Sequence, residues 1–145
     1  MVVVVAIVGI LASAAIPLVQ LGEHRLKERE LRQSLREIRL AIDAYRRAAD
    51  EGRIARRADI SGYPPDLNYL VDGVADAKAA DARKIYFLRR VPRDPFALTE
   101  APPNETWGLR SYASAPDDPK AGDDVFDVYS LSAAIGSNGV PYRDW

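Results

Sequence analysis

Hydrophobic and polar positions divide the chain into contrasting parts. Residues Met1 to Leu21, MVVVVAIVGILASAAIPLVQL, hold no charge and are nearly all aliphatic, a pattern apolar on every face of a helix rather than on one. At ~1.5 Å per residue such a helix spans about 30 Å, enough to cross a bilayer core. From Glu23 to about Ala49 charged residues surround Leu31, Leu35, Ile38, Ile42, Tyr45 and Ala49. Their spacing of four and three in alternation is one apolar stripe of an amphipathic helix. No Gly or Pro interrupts this stretch before Gly52, a stop signal. Together the two stretches predict a single helix of about fifty residues, roughly 75 Å long, with Pro17 and Gly22 as interruptions.

Pro17 removes a backbone donor and crowds the carbonyl of Ser13, which predicts a kink or local unwinding. In lipid the freed carbonyl needs another partner, from a neighbouring helix or the region of the Ser13 hydroxyl. Gly9 and Ser13 lie four apart and offer a small-residue face to another helix. Charged positions such as Glu28 and Arg32, an (i, i+4) pair, read as a solvated face.

Past Gly52 the elements shorten. A basic connector, RIARRADISG, leads to Tyr63-Pro64-Pro65-Asp66, where the prolines set an extended entry and suit the first turn of a short helix with Leu67, Leu70, Val71 and Val74 on its buried face. Asp72 to Lys84 has little to bury and reads as a loop or a weak helix. Ile85 to Val91 docks before a sharp Pro92-Arg93-Asp94-Pro95 turn. Trp107 to Ser114 and Val125 to Leu131 are the strand candidates, aromatic and β-branched with partial alternation, and are expected to pair antiparallel across the exposed loop APDDPKAGDD. At the end, Tyr142 and Trp145 are placed to pin the terminus back on the sheet.

Composition narrows the chemistry. Twenty basic against twenty-one acidic residues give a net charge of −1, without the basic surplus of a nucleic-acid binder. Cysteine is absent and His24 is the one histidine, which removes disulfides, thiolate metal sites, histidine triads and multi-histidine zinc sites. His24 reads as a solvated residue at the membrane end of the helix. No Walker loop, dinucleotide fingerprint, nucleophile elbow or zincin motif occurs, so no enzymatic activity and no catalytic residue is expected. Asp117, Asp118, Asp123, Asp124 and Asp127 gather around one loop, with Asp144 near the terminus; such hard oxygen ligands suit calcium, but their spacing matches no EF-hand, and an acidic solvated loop is the plainer reading.

On residues alone the first stretch fits a retained anchor and equally a cleaved secretory signal, with Val2 to Leu11 as apolar core and Ala12-Ser13-Ala14 as cleavage pattern, though no basic region precedes it. A buried core helix is the third alternative.

Four stretches in this order, MVVVVAIVGILASAAIP with Pro17, Tyr63-Pro64, FLRRVPRDPF at Phe87 to Phe96, and FDVYSLS with Asp144-Trp145, resemble the pseudopilins of type II secretion systems. The likeness is nearest to the major pseudopilin, within the type IV pilin-like group, and covers most of the chain. It implies an α+β, pilin-like fold in which the long helix, hydrophobic then amphipathic, packs on a small C-terminal antiparallel sheet. Residues 1–22 would form the membrane and filament-core helix and 23–145 a periplasmic head. The implied function is that of a structural subunit, anchored by a single pass in the inner membrane. Such subunits assemble through the helix into a helical homopolymer that helps export folded proteins, a head-to-tail contact that does not close. Val5, Gly9, Ser13 and Pro17 are the implied membrane and filament positions. The implied partners are copies of the same chain, minor pseudopilins, the inner-membrane secretion platform and membrane lipid. A type IV pilus or DNA-uptake pilin and a membrane-tethered periplasmic binding domain are the alternatives.

The chain departs from that pattern twice. Family precursors begin with a basic leader and a Phe-Thr-Leu-Ile-Glu start, whereas Met1 falls at about the seventh mature position. The leader, its prepilin peptidase site, the methylated residue and the N-terminal glutamate are therefore expected upstream on a full-length precursor. The basic residues Arg25, Lys27 and Arg29 directly after the apolar run would by themselves put that flank in the cytoplasm; the resemblance places it in the periplasm. The calcium loop of many major pseudopilins carries an acidic residue after the Asp-Val-Tyr-Ser strand, but here the segment is Ser132-Ala133-Ala134-Ile135-Gly136. Asp127, Ser130, Ser137, Asn138 and Asp144 remain as candidate oxygen donors, with the Ser-Asn-Gly turn and the packed Tyr142 and Trp145 as the alternative to an ion.

Overall fold

A computed structural model describes residues 2–55 and 61–145, with the side chains of 14–19 left out; Met1 and the middle of the basic connector, 56–60, lie outside the described residues. Helix α1 runs Val2–Asp50 as one element of 49 residues, so both halves of the predicted long helix join. Its assignment continues through Pro17, whose side chain is outside the described set.

The rest of the chain wraps the second half of α1. Helix α2 (Asn68–Asp72) is followed by a small antiparallel ribbon of β1 (Val74–Ala75) and β2 (Lys84–Ile85). A second ribbon pairs β3 (Trp107–Arg110) with β4 (Asp127–Ser130), in the register Trp107↔Ser130 to Arg110↔Asp127. Single 3-10 turns at Pro103–Glu105 and Tyr142–Asp144 complete the set. The architecture is α+β, with a long N-terminal helix and small antiparallel sheets. The segment read as a loop or weak helix, Asp72 to Lys84, instead holds the β1 edge. Its turn is held by Asp76, which is buried and accepts hydrogen bonds from Arg53 Nη2 at 2.7 Å and Lys78 N at 3.0 Å. These hydrogen bonds, from the guanidinium first and then the backbone, hold the Asp76 carboxyl below its ordinary value.

One apolar core forms where α1 meets these pieces. All six predicted stripe residues, Leu31, Leu35, Ile38, Ile42, Tyr45 and Ala49, are buried, against Leu67, Leu70, Leu88, Val91, Trp107, Val125, Val128 and Tyr142. Backbone hydrogen bonds lock the order of the pieces: Val125 N donates to Pro64 O at 2.8 Å, and Phe87 N and Leu88 N both donate to Leu70 O. Gly108 is required by packing, because a Cβ there would collide with the ring of its ladder partner Tyr129.

The turn at Asp94 joins the two sides of the core. Its carboxylate accepts from Phe96 N at 2.8 Å and from Ser130 Oγ at 2.6 Å, while its backbone N–H donates to Thr106 Oγ1 at 3.1 Å. Trp107 Nε1 closes the same corner by donating to Pro92 O at 2.8 Å. Asp124, read as part of a solvated acidic loop, is also buried; it accepts from Ser111 Oγ at 2.8 Å, Tyr112 N at 2.9 Å and the Ser61 hydroxyl. A buried carboxylate surrounded by donors is stable where an unpaired one is not.

Two helix positions separate core from surface. Ile38 is fully buried while Leu40, two residues on, is 57% exposed. Ile38→Ala is expected to cost about 3 kcal/mol and Leu40→Ala less than about 0.5 kcal/mol, read from urea unfolding of the whole chain in mild detergent. Equal losses would mean that α1 does not present the Ile38 face to the head.

Candidate functional site

The helix surface changes character at His24. Before it every described side chain is exposed, including Val2, Val3, Val4, Val5, Ile7, Val8, Ile10 and Leu11. Of the positions singled out from sequence, Val5 is exposed, and a Cβ at Gly9 would meet no neighbouring atom. The Ser13 hydroxyl donates to Gly9 O at 2.8 Å, back-bonding to its own helix; it is therefore not directed at the carbonyl that Pro17 would free. Among the described residues no helix is long and apolar enough to cross a membrane.

At His24 the head begins, and the residues that seat it come from opposite ends of the chain. Glu28 is buried on α1 and faces the loop after β4. Its Oε1 accepts from Ser137 N at 2.6 Å and Tyr142 Oη at 2.9 Å, and its Oε2 accepts from Ser137 Oγ at 2.6 Å. The tyrosine hydroxyl also sits 2.8 Å from His24 Nε2. Because its single proton goes to Glu28, His24 must donate from Nε2 to the phenol oxygen. The His24 ring packs edge-on to Phe96, and Phe96 stacks on Tyr142 with centroids 4.2 Å apart. Trp145 completes the group: its ring meets Tyr142 edge-on, Arg32 lies 4.2 Å over its centroid, and Gly136 leaves room for it where a Cβ would clash.

These contacts correct two sequence readings. Glu28 is not part of a solvated face paired with Arg32; it is the acceptor that fastens the C-terminal loop. His24 is half-exposed but engaged with Tyr142 and Phe96 rather than simply solvated. The signal available in sequence was weak: a glutamate four residues after a histidine says nothing about a loop 109 positions away.

Electrostatics follow from this geometry. Burial pushes the Glu28 carboxyl up, but the Ser137 hydroxyl and amide, the Tyr142 hydroxyl and the neighbouring His24 outweigh it and leave the group below its ordinary value. Burial, followed by the hydrogen bond to Glu28 and its charge, pushes the Tyr142 phenol up to about 12. Both directions keep Glu28 ionised and Tyr142 protonated near neutrality, the states in which one accepts and the other donates.

The five candidate calcium donors do not form one cradle. Asp127 accepts from Arg39 Nε at 2.7 Å, Ser130 is fully buried on Asp94, and Ser137 is bound to Glu28. Asn138 Oδ1 accepts from Val140 N within its own turn. Asp127 and Asp144 do share a cleft of about 590 Å³, but Arg39, Arg110 and Arg143 line it with them, and guanidinium charges oppose a divalent cation there. Among the described residues no group of three or more acidic or histidine side chains is placed to hold a metal ion. Arg39 instead ties the region together, also donating to Val128 O and Trp145 O.

No protein-family model, curated protein or solved structure matches this chain. Its geometry combines an exposed aliphatic stretch of helix, a globular part fastened to the continuation of that helix, and buried carboxylates committed to holding loops.

The lowered Glu28 carboxyl sets a pH dependence. A group whose folded value lies below its unfolded one adds stability that is complete above the unfolded value, near 4.5, and lost as pH falls through the folded value. Glu28→Gln, which keeps the shape but loses the charge, is expected to lower unfolding free energy by about 2 kcal/mol at neutral pH, with the gap closing under acid. Urea titrations of both proteins from neutral pH to pH ~3 check this; a gap that stays constant would show that ionisation of Glu28 is not what holds the loop.

Proposed function

We propose that the chain is a structural subunit of a type II secretion pseudopilus, with a pilin-like fold. In this reading its N-terminal helix anchors it in the inner membrane, with the head in the periplasm, and the same helix then packs against other copies in a filament that helps export folded proteins. The observation that carries this reading is the division of one continuous helix. Val2 to Ser13 is exposed and uncharged, whereas Leu31 to Ala49 is the buried spine of the head. A water-exposed helix bearing so much aliphatic surface needs a second environment, and lipid before assembly or neighbouring helices after it would each supply one.

The stretches that carry the sequence resemblance also support the reading by touching one another. The Arg93-Asp94-Pro95 turn bonds to Ser130 of the Asp-Val-Tyr-Ser strand, Pro64 accepts from Val125 beside that strand, and the terminal Trp145 O accepts from Arg39 of the helix. They behave as one packing unit rather than as scattered coincidences.

Because the sequence has no cysteine, crosslinking can be site-specific. Val5→Cys, Gly9→Cys and Ser13→Cys in the whole protein are expected to give copy-to-copy disulfides in membranes and in sheared filaments, while Arg47→Cys on the exposed far end of the helix gives far fewer. A mature chain beginning at Ala15, or a head recovered without the apolar segment, would overturn the reading.

A further inference from the structure

We propose that the lower lip of the head, Leu98 with Leu131, is a second membrane contact that rests on the lipid surface beside the anchoring helix; this rests on the anchor reading above. Leu98 is fully exposed and Leu131 is 61% exposed. They flank an apolar groove of about 730 Å³ whose walls include Phe96, Ala97, Ala133 and Ala134. No charged residue other than Glu105 lines it.

Position selects lipid as the occupant. Phe96, at the root of this loop, touches the His24 ring, and His24 is where α1 first meets the head. His24 follows Leu21, the last aliphatic residue of the uncharged run, by three positions, about 4.5 Å along the helix axis. The root of the lip, Phe96, therefore sits at the level where a bilayer-spanning segment would emerge, within the ~5–10 Å over which interfacial side chains bury. Arg25, Lys27 and Arg29 are exposed on the next turns of the helix, at the height of the lipid phosphates and with stems long enough to snorkel toward them. Leu21, more than half exposed, continues the apolar surface from the helix toward this level.

The lip is also tied to the core at its base. The Phe96–Tyr142 stack and the Asp94–Ser130 hydrogen bond hold the bases of the two loops that carry Leu98 and Leu131. A rigid apolar edge on one side of a transmembrane helix fixes the direction in which the helix tilts, because tilt is set by interfacial anchors. A subunit resting on its lip would present the opposite face of α1 to a neighbour, and withdrawal from the membrane would have to release the lip as well as the helix.

The test uses the whole chain reconstituted in phosphatidylcholine–phosphatidylglycerol vesicles, with an environment-sensitive fluorophore on a single introduced cysteine at Val5, Leu98, Leu131 or Arg47. Leu98 is exposed and makes no core contact, so labelling there leaves the fold intact. The expected result is a blue shift and strong quenching by lipid-borne nitroxides at Val5, Leu98 and Leu131, deep for Val5 and shallow for the lip, with neither effect at Arg47. A lipid-buried Val5 with Leu98 in water overturns the lip contact and leaves the anchor standing. Shielding of Leu98 from aqueous quencher without nitroxide quenching means that a second copy covers it, which also overturns the proposal. Val5 in water overturns the anchor reading and the lip with it.

Discussion

The head depends on burial of the α1 stripe. Its two ribbons are two strands each, β1 and β2 with two paired positions and β3 and β4 with four, and a two-stranded ribbon is at best marginal in water. Among the described residues neither ribbon gains a third strand. Leu31, Leu35, Ile38, Ile42 and Tyr45 supply the cover, so the helix is the largest part of the core on which the short elements condense. Removing the helix would leave Val128, Trp107 and Leu88 with little to pack against, and no division of this chain into a helix and a separately folded head follows from the core as it stands.

Around that core the long connections are each fastened by one acidic side chain. Asp76 holds the turn after β1, Asp94 the proline corner, Asp124 the loop between β3 and β4, Asp127 the cleft around Arg39, and Glu28 the C-terminal turn. Most of these bonds cross dozens of residues, the service that a disulfide or metal performs in other small domains. With no cysteine in the chain and the candidate calcium donors drawn to other partners, charge-assisted hydrogen bonds fill the role. They are stronger than neutral ones when kept from water, and four of the five carboxylates are buried.

What could be read from sequence follows from how local each feature is. The stripe from Leu31 to Ala49 was legible because a 3.6-residue period repeats over five turns, and the antiparallel strand pair because aromatic and β-branched residues fall between clear turn signals, although the strands read over Trp107 to Ser114 and Val125 to Leu131 are shorter, Trp107–Arg110 and Asp127–Ser130. The ribbon at Val74 and Lys84 was missed because two paired positions leave no periodicity. Glu28 was missed for a different reason: on its helix it is one charge among many, and only Ser137 and Tyr142, brought back by the chain's far end, distinguish it. Asp124 and Ser130 were misread in the same sense. Oxygen-rich side chains near one another in sequence suggested a cation, while in space each faces a different donor.

The boundary at His24 shows why the seat needs to be strong as well as apolar. Below it every described side chain of α1 is exposed; above it one face of the same helix is buried. Any load passed along the helix, as in the withdrawal from lipid that the filament reading requires, enters the head at its first contact, where Glu28 meets Ser137 and Tyr142. Apolar contacts slide at low cost because they have no preferred direction, whereas three hydrogen bonds to one buried carboxylate resist displacement along the axis. The Leu31 to Ala49 stripe then spreads what remains of the load over five turns of packed side chains. On the filament reading, the buried Glu28 would couple the exposed part of the helix to the enclosed part, and its cost in desolvation is offset by donors drawn from the last nine residues of the chain.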